Sequence, residues 1–428
     1  MGAAEVFGEW DTYSTRRQLL NREVDLDALV GSSKVKLVSV TGIRRCGKSS
    51  LLMLIRQRLG ALGERAAYVN LEDTRLSSSR DPLDDVLRWF GDEGVLLLDE
   101  VTAAPDYEGW LARNHELLKG RLRLIVSSSR RSLASPSKPL RGRVRGFELY
   151  PLSFREFVSF KGVPVDWTTA GRGRLEEALG EYLKFGGFPE IVLADSETEK
   201  VAILGSYLRD IVGLDVAEAS GVSLPTVRAF SEYVLQAPLF SGSKATRHLV
   251  ALGYKIGKDT ALALEHYVES SYLVHFTHIY SRSIKDRAQY PRKAYPGDTG
   301  FVYALQGRVD MGRLLENVVL LELKRRSGPL SEVSYWRGSG GVEVDFVVKE
   351  GGRVEEAIQV TLSLSEERTR RRELNGLAAC ASELGAERLT VLTMGEPGRE
   401  SHGGVEIEVK SLMSWLLRPL SVESEGSS

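Results

Sequence analysis

Cysteine is scarce in this 428-residue chain, and long uninterrupted apolar segments are absent from it. Only two cysteines occur, Cys46 and Cys380, which excludes a disulfide framework and favours a reducing, cytoplasmic location. No apolar run approaches the roughly 20 residues that a membrane helix requires, so no membrane partner is expected. A formal net charge of −1 gives no overall attraction for nucleic acid, and any DNA contact must use local basic patches.

The length and composition predict a folded protein of several domains. A chain of 428 residues is too long for one compact core, and its 42% hydrophobic and 27% charged content is ordinary for a globular protein. The last eight residues, 421–428, are small and acidic, and we expect them to be disordered.

A glycine-rich segment, residues 42–49, matches the pattern G-x-x-x-x-G-K-[ST] at every position. A β-branched run that predicts a buried strand precedes it, and apolar residues at helical spacing follow it. This context aims backbone N–H groups and a helix N-terminus at one point, which suits the phosphates of ATP. Lys48 is expected to reach the β- and γ-phosphates, and Ser49 to bind Mg²⁺. The predicted ATP-binding residues of this loop are Gly42, Ile43, Arg44, Arg45, Cys46, Gly47, Lys48, Ser49 and Ser50.

Two carboxylates, Asp99 and Glu100, follow the continuous apolar run 95–98. Such a run is typical of a parallel strand covered on both faces, and ligands bind at the carboxyl ends of parallel strands. We expect Asp99 to complete the Mg²⁺ shell and Glu100 to act as the base that orients the attacking water.

Polar and basic residues further along the chain complete the predicted catalytic set. The strand 122–126 ends in three serines, Ser127, Ser128 and Ser129, any of which can sense the γ-phosphate; Ser128 is our choice. Arg143, or else Arg141, is the candidate arginine presented to the nucleotide of a second copy, which would require a homo-oligomer. A solvated basic loop or a DNA-backbone contact explains these arginines equally well.

Several longer motifs together resemble one prokaryotic group. Besides residues 42–52 and 96–100, the matching segments are 141–143, 149–157, 182–190, 207–212, 293–300 and 343–347. The chain is similar to AAA-like ATPases of archaea and bacteria whose C-terminal half is a domain of unknown function. The resemblance implies an α/β fold with a P-loop NTPase parallel sheet, a helical lid, a winged-helix middle and a C-terminal nuclease-like domain. The expected boundaries are 1–150 (ATPase), 151–220 (lid), 221–300 (winged helix) and 301–420 (restriction-endonuclease-like).

The middle of the chain shows the order helix, turn, helix, then β-rich residues, which is typical of a winged helix. The basic residues Lys244, Arg247, Lys255 and Lys258 surround the turn, where a DNA backbone would lie. DNA is therefore a candidate partner. A structural spacer or protein adaptor remains the alternative.

From residue 311 onward the predicted order is αβββαβ, which resembles the nuclease core in which carboxylates bind Mg²⁺. The candidate site residues are Glu316, Glu343, Asp345 and Gln359. Thr361 stands where active enzymes have a lysine, and Lys349 could substitute for that lysine only by a bend of its strand. We therefore interpret this site as degenerate, with the fold kept for binding or scaffolding.

These observations lead to one working hypothesis and two alternatives. The hypothesis is an ATPase that uses ATP and Mg²⁺ and couples nucleotide binding or hydrolysis to DNA engagement. The first alternative is a structure-specific DNA-processing enzyme that also cuts. The second is a non-catalytic, ATP-bound switch that acts on a protein partner.

Overall fold

A computed structural model of the chain describes residues 2–133, 138–281, 283–307 and 310–419. The tail predicted to be disordered, 421–428, lies outside the described residues. The chain divides into two compact units. The first contains Met1–Pro151 and Ser270–Tyr272, and the second contains Leu152–Glu269 and Leu273–Ser428.

The first unit alternates helices with the strands of one sheet. Its elements are α1 (Ala3–Arg16), α2 (Leu26–Ser32), β1 (Leu37–Thr41), α3 (Lys48–Ala61), β2 (Ala66–Asn70), α4 (Pro82–Phe90), β3 (Gly94–Asp99), α5 (Tyr107–Leu117), β4 (Leu122–Ser128) and β5 (Val144–Glu148).

All five strands of the first unit run parallel, in the order β2-β3-β4-β1-β5. The predicted apolar strand is β3, and every residue from Val95 to Asp99 is buried because helices cover both faces of the sheet. The predicted parallel α/β sheet is therefore confirmed. Because β4 lies between β3 and β1, the carboxyl ends of these three strands lie side by side. The predicted site residues are at these ends.

The second unit begins with helices. In chain order they are α6 (Phe154–Phe160), α7 (Thr169–Phe185), α8 (Pro189–Leu193), α9 (Glu197–Asp210), a π-helical segment (Ile211–Ala217) and α10 (Glu218–Ser220).

A mixed segment follows, with three short strands among five helices. Its elements are α11 (Leu224–Gln236), β6 (Leu239–Phe240), α12 (Gly242–Ala251), α13 (Lys258–Ser270), β7 (Val274–Thr277), α14 (Ile284–Gln289), β8 (Arg292–Pro296) and α15 (Gly300–Gln306). The strands form an antiparallel sheet in the order β6-β8-β7. The β-rich residues predicted after the second helix form only the four-residue strand β7, and a connection that includes α14 separates this strand from its partner β8.

The last segment contains the largest sheet. Its elements are α16 (Met311–Arg326), β9 (Ser331–Arg337), β10 (Glu343–Glu350), β11 (Arg353–Thr361), α17 (Glu367–Leu384), β12 (Arg388–Thr393), β13 (Gly398–His402), β14 (Val405–Ser411) and α18 (Leu412–Leu416). The sheet order is β13-β14-β12-β11-β10-β9. The predicted αβββαβ order is present, and β13, β14 and α18 extend it beyond the prediction.

Helices cover both faces of this six-stranded sheet. Apolar residues of α16 and α18 share one core with Phe346 and Ile358, whereas α17 packs on the other face against Val347 and Ala357. Among the described residues, no helix combines the length and apolar character needed to cross a membrane.

Candidate functional site

The glycine-rich loop connects β1 to α3, as the sequence predicts. Its backbone enters the left-handed region at Arg45 (φ 73°) and Gly47 (φ 103°), the second of which is the N-cap of α3. Gly42 packs so closely on the residue after β5 that a Cβ there would lie 2.1 Å from the carbonyl oxygen of Leu149. Cys46 is fully buried, and its thiol donates to the same oxygen at 3.3 Å. The loop shape is therefore set by packing as well as by glycine.

Lys48 is the buried cation of this loop. Only 4% of its side chain is exposed, and its Nζ donates to the carbonyl oxygens of Gly42 (3.1 Å) and Ile43 (3.2 Å). The same Nζ lies 3.4 Å from Oε1 of Glu100. The predicted lysine and the predicted base are thus in direct contact.

Asp99 ends β3 inside a network of hydroxyl groups. Its Oδ2 accepts a 2.7 Å hydrogen bond from the Tyr68 hydroxyl, and its Oδ1 accepts one from Ser127. Burial raises the pKa of the Asp99 carboxyl, and the nearby Glu100 raises it further, while hydrogen bonds with Ser127, Ser49 and Tyr68 oppose the rise. Ser49 and Asp99, the two predicted Mg²⁺ ligands, therefore lie within hydrogen-bonding reach of each other.

Glu100 adopts a left-handed backbone conformation (φ 48°) that few non-glycine residues adopt. Its Oε2 accepts from the backbone N–H of Ser129 at 3.0 Å, and its own N–H donates to Ser127 Oγ at 2.9 Å. Burial by itself would raise the pKa of Glu100, but Lys48 and the Ser129 N–H outweigh that effect and hold the pKa below its ordinary value. The side chain is therefore an ionised carboxylate beside Lys48.

The three serines at the carboxyl end of β4, two inside the strand and Ser129 directly after it, have different surroundings, although all are buried. Ser127 contacts both Asp99 and Glu100. The chosen residue, Ser128, shares a 3.2 Å hydrogen bond with Thr102 and accepts from the N–H of Arg130. Ser127 is thus the serine hydroxyl in contact with the acidic pair, and the choice of Ser128 as phosphate sensor stays a prediction.

Of the arginines predicted to act at the nucleotide site, Arg44 and Arg143 lie near carboxylates and Arg141 is exposed. Arg44 pairs with Glu72 at 3.1 Å. Arg143 is partly exposed, donates to the carbonyl oxygen of Pro139 at 3.1 Å and lies 3.5 Å from Glu116. Arg141 is exposed, and Ser50 is half-buried in the first turn of α3. The catalytic role of Arg143 therefore remains a prediction.

Two residues that the sequence does not single out hold the site together. Arg22, from the segment between α1 and α2, donates to the carbonyl oxygens of Cys46 (2.8 Å) and Tyr150 (2.9 Å). Tyr68, on β2, holds Asp99. No local sequence pattern identifies either residue. Arg22 donates to backbone carbonyls, which every residue has, and Tyr68 lies on a strand whose two faces are both buried.

The predicted residues of the C-terminal site also come together, but around a cation of the protein itself. Lys293, on β8, places its Nζ 2.8 Å from Asp345, 2.9 Å from Glu343 and 3.3 Å from Glu316. Tyr295 donates to Glu316 at 2.9 Å. Burial would lower the pKa of Lys293, but Asp345 and the other anionic neighbours raise it well above its ordinary value. We call Lys293, Glu316, Glu343 and Asp345 the lysine–carboxylate cluster.

Gln359, the fourth predicted residue, uses its whole amide in other contacts. Its Oε1 accepts from the N–H of Asp345 at 2.9 Å, and its Nε2 donates to the Glu343 carbonyl and to Glu373. Metal ligation by Gln359, which the sequence suggests, would require this network to break. Lys349, the suggested substitute lysine, pairs with Glu332 at 3.1 Å instead.

Comparison with known proteins gives a match to each main part of the chain. A family model described as an AAA domain matches residues 34–158, which identifies a P-loop domain of that type. Two domains of unknown function match the remainder, DUF8612 at residues 176–311 and DUF4143 at residues 311–412.

Two similar proteins match over most of their own length. An uncharacterized protein of Methanocaldococcus jannaschii is 28% identical over 397 residues, which cover 90% of this chain and 87% of that protein. An uncharacterized protein of Haemophilus influenzae is 28% identical over 359 residues, which cover 79% of this chain and 86% of that protein.

Three of the similar solved structures are the following. A DNA replication initiation factor is 14% identical with a TM-score of 0.26, covering 57% of this chain and 86% of its own. DnaA from Aquifex aeolicus bound to AMPPCP is 16% identical with a TM-score of 0.28, covering 57% and 85%. DnaA bound to AMPPCP and single-stranded DNA is 16% identical with a TM-score of 0.28, covering 59% of this chain and 93% of its own. These scores are too low to indicate a shared overall structure.

Proposed function

We propose that the protein binds ATP with Mg²⁺ at the loop 42–49 and hydrolyses it with Glu100 as the base. The observation that supports this proposal is the contact of Lys48 with Glu100 beside the Ser49–Asp99 pair, at the carboxyl ends of β1 and β3, which lie on either side of β4. Hydroxyl and carboxylate oxygens are the ligands that Mg²⁺ prefers, so the donor set fits this ion. Bound Mg²⁺ would supply positive charge to the β- and γ-phosphate oxygens.

Residues of the chain itself bind the phosphates and activate the attacking water. Lys48 exchanges its contacts with the loop carbonyls and Glu100 for contacts with phosphate oxygens. This exchange frees Glu100 to accept a proton from water, and because Lys48 is the main group that lowers the pKa of Glu100, the carboxylate becomes a stronger base when the lysine moves away. The Ser129 N–H holds the carboxylate of Glu100 on the side of β4. Nucleotide binding thus prepares the base for catalysis.

The first test is Lys48→Ala. We expect ATP binding to weaken strongly and hydrolysis to disappear, because the phosphates lose their buried cation. Lys34→Ala, the same change at an exposed lysine of the same unit, is the matched control and should behave like the unaltered protein. ATP turnover that persists in the purified Lys48→Ala protein would contradict the site.

Glu100→Gln separates binding from chemistry. The amide keeps the size of the side chain and can still accept from Ser129, so ATP should bind with similar affinity. Hydrolysis should fall by about 10²–10⁴-fold, the usual contribution of a general base. Equal hydrolysis by both proteins would show that Glu100 is not the base.

We further propose that the segment 224–296 is a winged-helix domain that contacts DNA. Its order of helix, strand, two helices and two strands, the last two separated by α14, around a small antiparallel sheet supports this proposal, as do four exposed basic side chains at the helix–turn–helix. These side chains belong to Lys244, Arg247, Lys255 and Lys258. The double change Lys244→Glu with Arg247→Glu should weaken DNA binding and reduce its salt dependence, with Arg228→Glu, another exposed arginine, as control. An unchanged salt slope would favour the adaptor alternative.

Self-association through Arg143 is a separate proposal. Its side chain is 40% exposed, which leaves it accessible to a second copy. If Arg143 acts in trans, a mixture of Arg143→Ala and Glu100→Gln chains should regain ATPase activity that neither variant has alone. No recovery in a mixture shown to form mixed oligomers would assign Arg143 another role.

The C-terminal αβββαβ segment is proposed to be nuclease-like in fold. The order of its elements and the convergence of Glu316, Glu343 and Asp345 support this proposal.

A further inference from the structure

Three carboxylates of the C-terminal segment converge on one ammonium group that comes from outside it. Glu316 lies on α16, and Glu343 and Asp345 lie on β10. Lys293 belongs to β8, which pairs with β6 and β7 in the small sheet. The lysine therefore reaches the carboxylates from the preceding segment of the chain.

This ammonium lies where a metal ion shared by the three carboxylates would have to lie. All three carboxylates have an oxygen within 2.8–3.3 Å of Lys293 Nζ. A divalent ion shared by the same oxygens would sit about 2.0–2.2 Å from them and would coincide with the ammonium. Over the residues that the structure describes, no group of three His, Cys, Asp or Glu side chains is arranged to hold a metal, so the three carboxylates would have to shift before they could bind one. The residues present do not fit a metal while Lys293 is in place.

We propose that Lys293 is the resident cation of the lysine–carboxylate cluster and that it excludes divalent metal from the C-terminal domain. The domain consequently does not cleave DNA by a metal-dependent reaction. The role left to the cluster is structural, because the ion pairs connect the β6–β8 sheet to α16 and β10.

Additional contacts keep the lysine and its partners in position. Lys293 is 7% exposed, and its Nζ lies 5.9 Å from the centre of the Tyr335 ring. The second oxygen of Asp345 accepts from the N–H of Val360 at 3.0 Å. One ammonium faces three carboxylates, so the cluster retains excess negative charge, and removal of the ammonium should turn it into a binding site for divalent ions.

The test compares Lys293→Met with the unaltered protein, both free of nucleotide. Loss of the buried counterion should lower the thermal midpoint by roughly 6–20 °C, and Mn²⁺ should restore it. Electron paramagnetic resonance should show one additional bound Mn²⁺ in Lys293→Met, and Asp345→Asn in the same chain should abolish it. Lys349→Met, which removes a surface lysine of the same domain, is the matched control and should show neither effect.

A second pair of variants keeps the test decisive if Lys293→Met does not fold. The Glu316→Gln protein retains the Lys293 ammonium and should not bind an additional Mn²⁺. The double variant Glu316→Gln with Lys293→Met has one carboxylate fewer than Lys293→Met, so its acidic side chains repel one another less. This double variant should bind the additional Mn²⁺. No gain of Mn²⁺ in any folded chain that lacks Lys293 would overturn the proposal. Mn²⁺ binding or DNA cleavage by the unaltered protein that Asp345→Asn abolishes would overturn it as well.

Discussion

Tyr68→Phe removes one hydroxyl from the centre of the candidate ATPase site and leaves its packing intact. The Tyr68 side chain is fully buried, and its ring lies 6.3 Å from Trp10 in an edge arrangement that phenylalanine can reproduce. The lost group is the donor of a 2.7 Å hydrogen bond to Asp99. The variant therefore tests how far Asp99 depends on this donor.

The expected magnitude follows from the charge on the acceptor. A hydrogen bond to a charged group contributes about 1.5–3 kcal/mol, which corresponds to a decrease of roughly 10–150-fold in kcat/KM if the interaction persists through the transition state. The bond also favours the ionised form and so lowers the pKa of Asp99. Without the bond, Asp99 holds its proton to higher pH, and the acidic limb of the activity profile should move to higher pH.

The assay is the steady-state rate of ATP hydrolysis at several pH values and Mg²⁺ concentrations. The activity lost by Tyr68→Phe should be partly recovered by raising the pH or the Mg²⁺ concentration, because both favour the ionised, metal-binding carboxylate. Tyr13→Phe, at a partly exposed tyrosine that contacts the same tryptophan, is the control and should leave the profile unchanged. A folded Tyr68→Phe protein with an unaltered profile would refute this reasoning.

Three further predictions concern packing, tethering and titration. Gly42→Ala should abolish nucleotide binding and lower the free energy of unfolding by about 1–3 kcal/mol, since its Cβ meets the rigid Leu149 carbonyl; binding and denaturation assays check this. Arg22→Ala should weaken ATP binding by about 5–30-fold in a fluorescent-nucleotide titration, because the loop loses two donated hydrogen bonds worth about 1–2 kcal/mol in total; an unchanged Kd would contradict the tether. Burial raises the pKa of Glu265 to about 7, so the folded state binds the extra proton between pH 4.5 and 7 and stability should fall as pH rises through this window. Glu265→Gln should make that dependence less steep in denaturant titrations, and an equal slope in both proteins would exclude Glu265 as a contributor.

The local part of the nucleotide site could be predicted from the sequence. The strand before Gly42, the loop and the helix that begins at Lys48 all appear in the structure, because glycine positions and hydrophobic periodicity act over a few residues. The acidic pair at the carboxyl end of β3 is found at the same edge of the sheet, since parallel strands bring their carboxyl ends together.

The partners of these residues could not be predicted in the same way. Nothing near Arg22 or Tyr68 in the sequence indicates that one binds the loop backbone and the other binds Asp99. Their contacts join residues that are 24 and 31 positions apart, and they depend on side-chain directions inside buried layers. Sequence periodicity identifies such layers but not the atoms that meet within them.

The C-terminal domain shows which features follow from the sequence and which depend on the tertiary structure. The sequence by itself determined the succession of helices and strands and the common face of Glu343 and Asp345, because both follow from local periodicity. Only the tertiary structure decided which cation those carboxylates receive. Lys293 is 52 residues from Asp345 and lies on a strand of another sheet, so no pattern within the domain indicates it. Long-range packing selects the partner of a buried charge, since many side chains compete for each place in a folded interior.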